Sequence, residues 1–426
     1  MQPFPLSTHF GQFRRDSSAS AVLSGLVAVI VGFAGPTVLI YAVAQSAHLA
    51  DRTVLSWVWA ATVLCGLVSV YLSLRTRLPI MSTWSTPGIA FLAGALPGFH
   101  FAEAVGAFLT SALLVLLLGS VRPLTEAIGK LPTPLAGALN AAILLPFGFH
   151  LVQAFGGKPL LVGAMIAAYF LLRRLAPRWA VAGVLLVGIA AGGLLGLLHH
   201  APVSLALTQP QLVLPEFSWR AVFGLALPLT LLAFTGQFVP GLAVLKVAGY
   251  APEPGPIVRT CGAASVAAAF VGCHNLTLAA LLANIVSGPE AHPDPSRRYA
   301  AAVYAGLFNV ILGCFAGTFL HVMALLPTEA VQALAGLALL AAIASSLQAA
   351  LQPAPGRVAG TLAAPAVLIV TLSGVSFLGI GAAFWGVLAG LAVYALERPR
   401  KVRALTPSPA VPAPSVPPAT TAPPGR

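Results

Sequence analysis

Pro79-Ile80-Met81-Ser82-Thr83-Trp84-Ser85-Thr86-Pro87-Gly88 breaks an otherwise regular succession of apolar runs. Ser82, Trp84 and Thr86 alternate with Thr83 and Ser85, which suits an extended strand. Pro87 suits the first turn of a helix starting there. Arg75 and Arg77 mark a membrane edge just upstream. At about 3.3 Å per extended residue, Ser85 and Thr86 lie roughly 25–30 Å further on, too deep for a simple edge loop. Non-helical backbone at that depth is tolerated only where it is buried in protein or lines a cavity. A second stretch, Val271-Gly272-Cys273-His274-Asn275-Leu276-Thr277, has the same form, a polar interruption followed by an apolar run. Each would aim a half-helix N-terminus, with free N–H groups and a positive dipole end, at the membrane centre. That geometry attracts an anion without any buried cationic side chain.

The surrounding composition requires a membrane. Of 426 residues, 58% are hydrophobic and only 8% charged, against roughly 25% charged in a soluble domain. Mean hydropathy is +0.93. A soluble fold cannot hide so much apolar surface, which excludes a water-soluble enzyme, a secreted disulfide scaffold and a nucleic-acid binder. Apolar runs at 21–46, 54–74, 80–97, 102–120, 131–151, 158–175, 179–198, 219–245, 257–271, 272–288, 299–323, 329–350, 359–376 and 378–396 give fourteen candidate spans, each near the ~20 residues a bilayer requires. The third, ninth and tenth are short for full crossings. The expected class is an all-α polytopic membrane protein of about 12–14 transmembrane helices, two of them interrupted and carrying short strands.

The net charge of +12 reflects orientation rather than an anionic partner. With the N-terminus in the cytoplasm, nineteen of the 22 Lys and Arg fall on the cytoplasmic side, leaving only Arg52, Lys158 and Arg220 outside. That is the asymmetry expected of a bacterial inner-membrane protein with both termini cytoplasmic. Arg14 and Arg15 precede a run too long for a cleavable signal. The chain divides into a cytoplasmic tail (1–20), a first repeat (21–198), an outer connecting loop (199–218), a second repeat (219–397) and a Pro-rich cytoplasmic tail (398–426) of disordered composition. The repeats rest on spacing. Ala21 and Trp219 are 198 residues apart, Ala102 and Tyr299 are 197 apart, and the two polar interruptions are offset by about 188. Seven spans per half is odd, so the halves run in opposite directions, the seven-plus-seven inverted repeat of many secondary transporters.

Between the interruptions lies Thr230-Leu231-Leu232-Ala233-Phe234-Thr235-Gly236-Gln237-Phe238-Val239-Pro240-Gly241. Gln237 is an amide in a helix opened by Gly236 and Pro240-Gly241. It serves either as a helix–helix hydrogen bond or as a ligand contact. Candidate substrate-binding residues are Ser85, Thr86, Gln237, Asn275 and Thr277. His274 alone among nine histidines lies in an interruption. It is the proton-coupling candidate, with a structural donor as the alternative. All ten Asp and Glu fall in loops or at span ends, so paired catalytic acids and a mid-membrane carboxylate relay are absent. GxSxG, HExxH and P-loop motifs are missing as well, and no enzyme is expected. Cys65, Cys261, Cys273 and Cys314 fall singly in apolar runs and read as small hydrophobes. No metal or cofactor is called for. Pro289-Glu290-Ala291-His292-Pro293-Asp294-Pro295-Ser296-Arg297-Arg298-Tyr299, metal-like at a glance, reads as a cytoplasmic linker because of its prolines and its position after a span.

Four stretches resemble the benzoate/proton symporter (BenE) family: TWSTPGIAFLAGALPG from Thr83, PGLAVLKVAGY from Pro240, EAHPDPSRRYAA from Glu290 and FLGIGAAFWGVLAG from Phe377. The resemblance covers roughly 18–397. It implies a fold like the uracil/xanthine permeases, with a core and a gate domain and short strands in the third and tenth segments. Nucleobase permeases of that fold carry acidic residues in the eighth and tenth segments. Here Gln237 stands in the former and the latter has none, which fits an anionic substrate. The expectation is a proton-coupled secondary transporter importing benzoate or a related small carboxylate, powered by the proton gradient. The alternative is a nucleobase or inorganic-anion permease. The partners are the substrate, protons and the lipid bilayer, with a homodimer left open and no nucleic acid.

Overall fold

The computed structural model describes residues 6–34, 36–121, 123, 132–199, 207–353 and 362–397. The Pro-rich tail 398–426 and the cationic residues Arg122, Lys130 and Arg357 lie outside the described residues.

An amphipathic helix α1 (Leu6–Asp16) precedes α2 (Ala19–Ala34), α3 (Pro36–Ser46) and α4 (Asp51–Thr76). Strand β1 (Ser82–Trp84) then leads into α5 (Thr86–Ala95) and α6 (Phe101–Ser120). Next come α7 (Thr133–Gly157), α8 (Pro159–Leu175) and α9 (Ala180–Leu194). The second half begins with α10 (Trp219–Val247), which widens into π-turns at Val222–Ala226 and Phe234–Phe238. It continues with α11 (Pro254–Ala269), β2 (Leu276–Leu278), α12 (Ala280–Ser287), α13 (Tyr299–Cys314), α14 (Ala316–Leu325), α15 (Thr328–Leu351), α16 (Ala363–Leu372) and α17 (Ala382–Leu396).

Each apolar run of the sequence carries helix, but the lengths are uneven. Among the described residues six helices are long and apolar enough to cross a bilayer: 19–46, α4, α6, α7, α10 and α15. The run 299–323 is not one straight span; it bends by 67° between Cys314 and Ala316. The seventh, thirteenth and fourteenth runs form only the shorter helices α9, α16 and α17, a finding that hydropathy alone did not suggest.

Two helix sets emerge from the packing. In one, α13 packs on α4 and α2, and α11 packs on α6. In the other, α7 packs on α15 and α16, α16 on α17, and α8 on α9. The α4–α13 seam is close because small residues face each other. A Cβ on Gly66 would stand 2.5 Å from the Gly306 carbonyl, and one on Gly306 would stand 2.6 Å from that of Gly66. Membrane helices gain association from such backbone proximity.

The strands belong to the first set and pair antiparallel, with Ser82 opposite Leu278, Thr83 opposite Thr277 and Trp84 opposite Leu276. A lone two-stranded ladder leaves outer backbone groups unpaired, which is costly in a dry interior. Helix hydroxyls take up part of that load. Ser69 of α4 accepts the Ser82 N–H at 2.8 Å, Ser73 accepts the Ile80 N–H at 3.2 Å, and Ser265 of α11 accepts the Leu276 N–H at 2.8 Å. Each strand thus rests on a serine of the helix preceding it in sequence.

At one end of the molecule α1 is fastened to the bundle. Asp16 lies 3.5 Å from both Arg77 and Arg297 and accepts the Tyr299 hydroxyl at 2.8 Å. The segment before α10 runs across the bundle as a strap. Thr208 bonds the Cys314 carbonyl, Val213 that of Phe270 and Glu216 that of Ala102, each through its N–H.

Candidate functional site

The pleat carries both half-helices. Beyond the strand pairs, the Ser85 N–H donates to the Asn275 carbonyl at 3.0 Å and the Ala279 N–H to that of Met81 at 2.9 Å. The chain before α5 and the chain before α12 are therefore stitched to each other, and both helices begin beside the pleat.

Their N-termini are chemically unequal. Ser85 caps α5, accepting the Gly88 N–H on its hydroxyl at 3.2 Å and the Ile89 N–H on its carbonyl at 2.9 Å. Pro87 has no N–H to offer. Only Thr86 remains, and Gln237 meets it. The Gln237 amide fits in the orientation where its nitrogen donates to the Leu278 carbonyl at 2.8 Å and its oxygen accepts from Thr86 N–H at 3.2 Å. Helix α12 is the bare one, since Ala279 at its N-cap supplies no side-chain acceptor. The sequence suggests free N–H groups at both N-termini, and the structure differs at the first. Serine capping closes the first, and alanine leaves the second open.

The remaining candidates lie deeper. Asn275 is fully buried, and its Nδ2 donates to Ser111 Oγ of α6 at 2.7 Å; Ser111 in turn meets Thr230 of α10 at 2.8 Å. Thr277 sits in the middle of β2 and its hydroxyl donates to the Thr83 carbonyl at 3.1 Å. His274 is 1% exposed and its Nε2 meets the Ser85 carbonyl at 2.9 Å. Its ring stands edge-on between Trp57 and Phe108, at centroid distances of 5.7 and 6.2 Å, and Nδ1 has no partner. The structure thus brings Ser85, Thr86, Gln237, His274, Asn275 and Thr277 into one neighbourhood. It leaves Thr86 partly exposed and buries the other five.

Sequence reasoning missed Ser69, Ser111, Thr230 and Ser265, which look like ordinary small residues of apolar helices. Asn140 was missed too, although an amide within an apolar run is itself a signal. Its Oδ1 is buried without a partner and lies 3.1 Å from where a Cβ on Gly236 would stand. That same point is 2.7 Å from Pro87 Cγ. A small apolar cavity of about 30 Å³, lined in part by Leu135, Leu139, Leu231 and Thr235, includes the chain neighbours of Asn140 and Gly236.

No Asp or Glu is buried among the described residues, and no group of three His, Cys, Asp or Glu there could hold a metal ion. In the segment before α13, His292 Nδ1 accepts the Asp294 N–H at 3.0 Å. The hydroxyl and N–H of Ser296 hold the Asp294 carboxyl below the usual carboxylate range. These are local turn bonds.

The chain is 37% identical over 391 residues to the benzoate membrane transport protein of Acinetobacter baylyi, covering 91% of this chain and 98% of that one. It is 34% identical over 373 residues to the inner membrane protein YdcO of Escherichia coli, covering 88% and 94%. Among solved structures, SLC26A9 superposes with a TM-score of 0.59 at 13% identity over 88% of this chain and 65% of that chain. The transmembrane domain of the cyanobacterial bicarbonate transporter BicA gives 0.58 at 11% identity over 88% and 95%. These two establish the fold alone. The family profile described as benzoate membrane transport protein matches residues 15–396, and the chain belongs to that family, BenE.

Proposed function

We propose that this chain imports benzoate or a related small organic carboxylate together with protons across the bacterial inner membrane. Family membership makes it a membrane transport protein rather than an enzyme. The observation that carries the substrate class is the junction of the pleat. There the uncapped N-terminus of α12 and the Thr86 N–H lie with Gln237 in a neighbourhood without a buried carboxylate among the described residues. An anion gains from amide dipoles in such a place and meets no fixed negative charge. A nucleobase, which presents N–H donors, would find no buried carboxylate among the described residues to accept them.

In this reading Gln237 holds the Thr86 N–H until a substrate carboxylate replaces its oxygen. Ser85, Asn275 and Thr277 keep the pleat in shape behind it. His274 is the proton carrier. It is the one buried histidine among the described residues, and its unpartnered Nδ1 is where a proton would land. The two halves, 21–198 and 219–397, form a seven-plus-seven inverted repeat with cytoplasmic termini. The set carrying the strands serves as the core and the set around α7 and α15 as the gate.

Uptake of labelled benzoate into proteoliposomes, with and without an inward pH gradient, tests the proposal. Accumulation above equilibrium only with the gradient supports it. Equilibration regardless of the gradient would mean a passive pathway. Uptake of uracil or bicarbonate in place of benzoate would move the chain to another substrate class.

A further inference from the structure

We propose that Asn140 is a direct contact for the substrate carboxyl group, reaching it from the helix set that does not carry the strands. The proposal rests on the carboxylate-transport reading above and extends it to a residue outside the pleat. Helix α7 packs chiefly against α15 and α16, yet it also touches α5 and the π-turn Phe234–Phe238. Asn140 stands at that crossing. Its side chain is 7% exposed and its Oδ1 has no hydrogen-bond partner.

Buried carbonyl oxygens in native structures are nearly always satisfied by protein or water, and an exception calls for an explanation. Here the oxygen points where Gly236 and Pro87 converge, 3.1 Å from the missing Cβ of Gly236. Pro87 follows Thr86, and Gly236 precedes Gln237, the pair whose hydrogen bond a carboxylate would replace. The unpartnered atom is therefore one residue removed from both cradle groups.

An amide serves either protonation state of the ligand. It accepts from the O–H of a neutral acid through Oδ1, or, turned over, donates to a carboxylate through Nδ2. Benzoate would then lie with its carboxyl group between Asn140 and Thr86, bridging the two helix sets.

Reconstituted wild type, Asn140→Ala and Asn140→Asp are compared by benzoate uptake and by the rise in thermal midpoint that benzoate produces. Asn140→Ala should raise KM for benzoate at least tenfold and shrink the benzoate-induced rise, while the ligand-free midpoint stays at the wild-type value. Asn140→Asp keeps the size but adds an ionisable carboxyl, so its loss of affinity should deepen as pH rises and like charges meet. A packing residue would behave oppositely, with a lowered ligand-free midpoint and unchanged KM. Wild-type KM and a wild-type ligand response in Asn140→Ala overturn the proposal. If that variant is not recovered, the same result in Asn140→Asp overturns it. A wild-type protein that neither transports nor responds to benzoate overturns the transport reading itself, and this inference with it.

Discussion

His274 and Ser85, 189 residues apart, are joined by a 2.9 Å contact between an imidazole Nε2 and a backbone carbonyl. A carbonyl only accepts, so Nε2 carries the hydrogen and Nδ1 is left as a lone pair. That nitrogen has no hydrogen-bond partner, while the imidazole ring packs T-shaped against Trp57 and Phe108. The same imidazole thus ties one half-helix to the strand before the other and keeps one ring nitrogen unpartnered.

His274→Gln separates those two roles. Gln retains a donor for the Ser85 carbonyl but cannot take up a proton in the physiological range. The variant should bind benzoate and exchange it across the membrane, and should lose accumulation driven by a pH gradient. Normal gradient-driven accumulation in a well-expressed variant would remove His274 from the proton route and leave the neutral acid as the carrier of its own proton.

Thr86 and Thr277 should respond differently to the same substitution. Thr86→Val removes a hydroxyl from the partly exposed first residue of α5. The N–H released by Gln237 is kept, so the test reads the hydroxyl as a second donor to the carboxylate. Its loss should weaken benzoate binding by about 1.5–3 kcal/mol, the range for a hydrogen bond to a charged group. Thr277→Val removes the hydroxyl that holds the Thr83 carbonyl. It should cost about 1 kcal/mol of stability, seen as a lower thermal midpoint with little change in affinity. Equal affinity loss in both variants would place Thr277 in the binding surface.

Gly66→Val tests the seam between α4 and α13. Its Cβ would stand 2.5 Å from the Gly306 carbonyl and 2.9 Å from Val310 Cγ2, and neither backbone can yield without parting the helices. Overpacking of this kind costs about 1–3 kcal/mol. Gly94→Ala is the control, because a Cβ there meets no heavy atom within 4 Å. Thermal unfolding in detergent should show a clear drop for the first and none for the second.

Orientation is tested by impermeant maleimide in a cysteine-free background. Cysteines at Arg52 and Lys158 should label from outside, and those at Arg75 and Arg174 should not. The reverse pattern would invert the topology, and a mixed pattern would break the count of spans.

The sequence by itself determined the membrane class, because a chain with so few charges can be satisfied only by lipid. It also located the two interruptions, since polar residues at membrane depth are too costly to occur without a purpose. The start of α5 around Pro87 was legible because the preference of proline for the first helical turn is local. Tertiary structure decided what those residues touch. That Ser69 and Ser265 support the strands, that Gln237 spans from Leu278 to Thr86, and that α12 rather than α5 is left uncapped all depend on segments far apart in the chain. The same holds for Asn140. An amide in an apolar run signals a polar role but not its partner, and only the convergence of α7, Gly236 and Pro87 sets its oxygen beside those two residues. Local preferences fix where backbone bonds are broken; long-range packing fixes which side chains repair them.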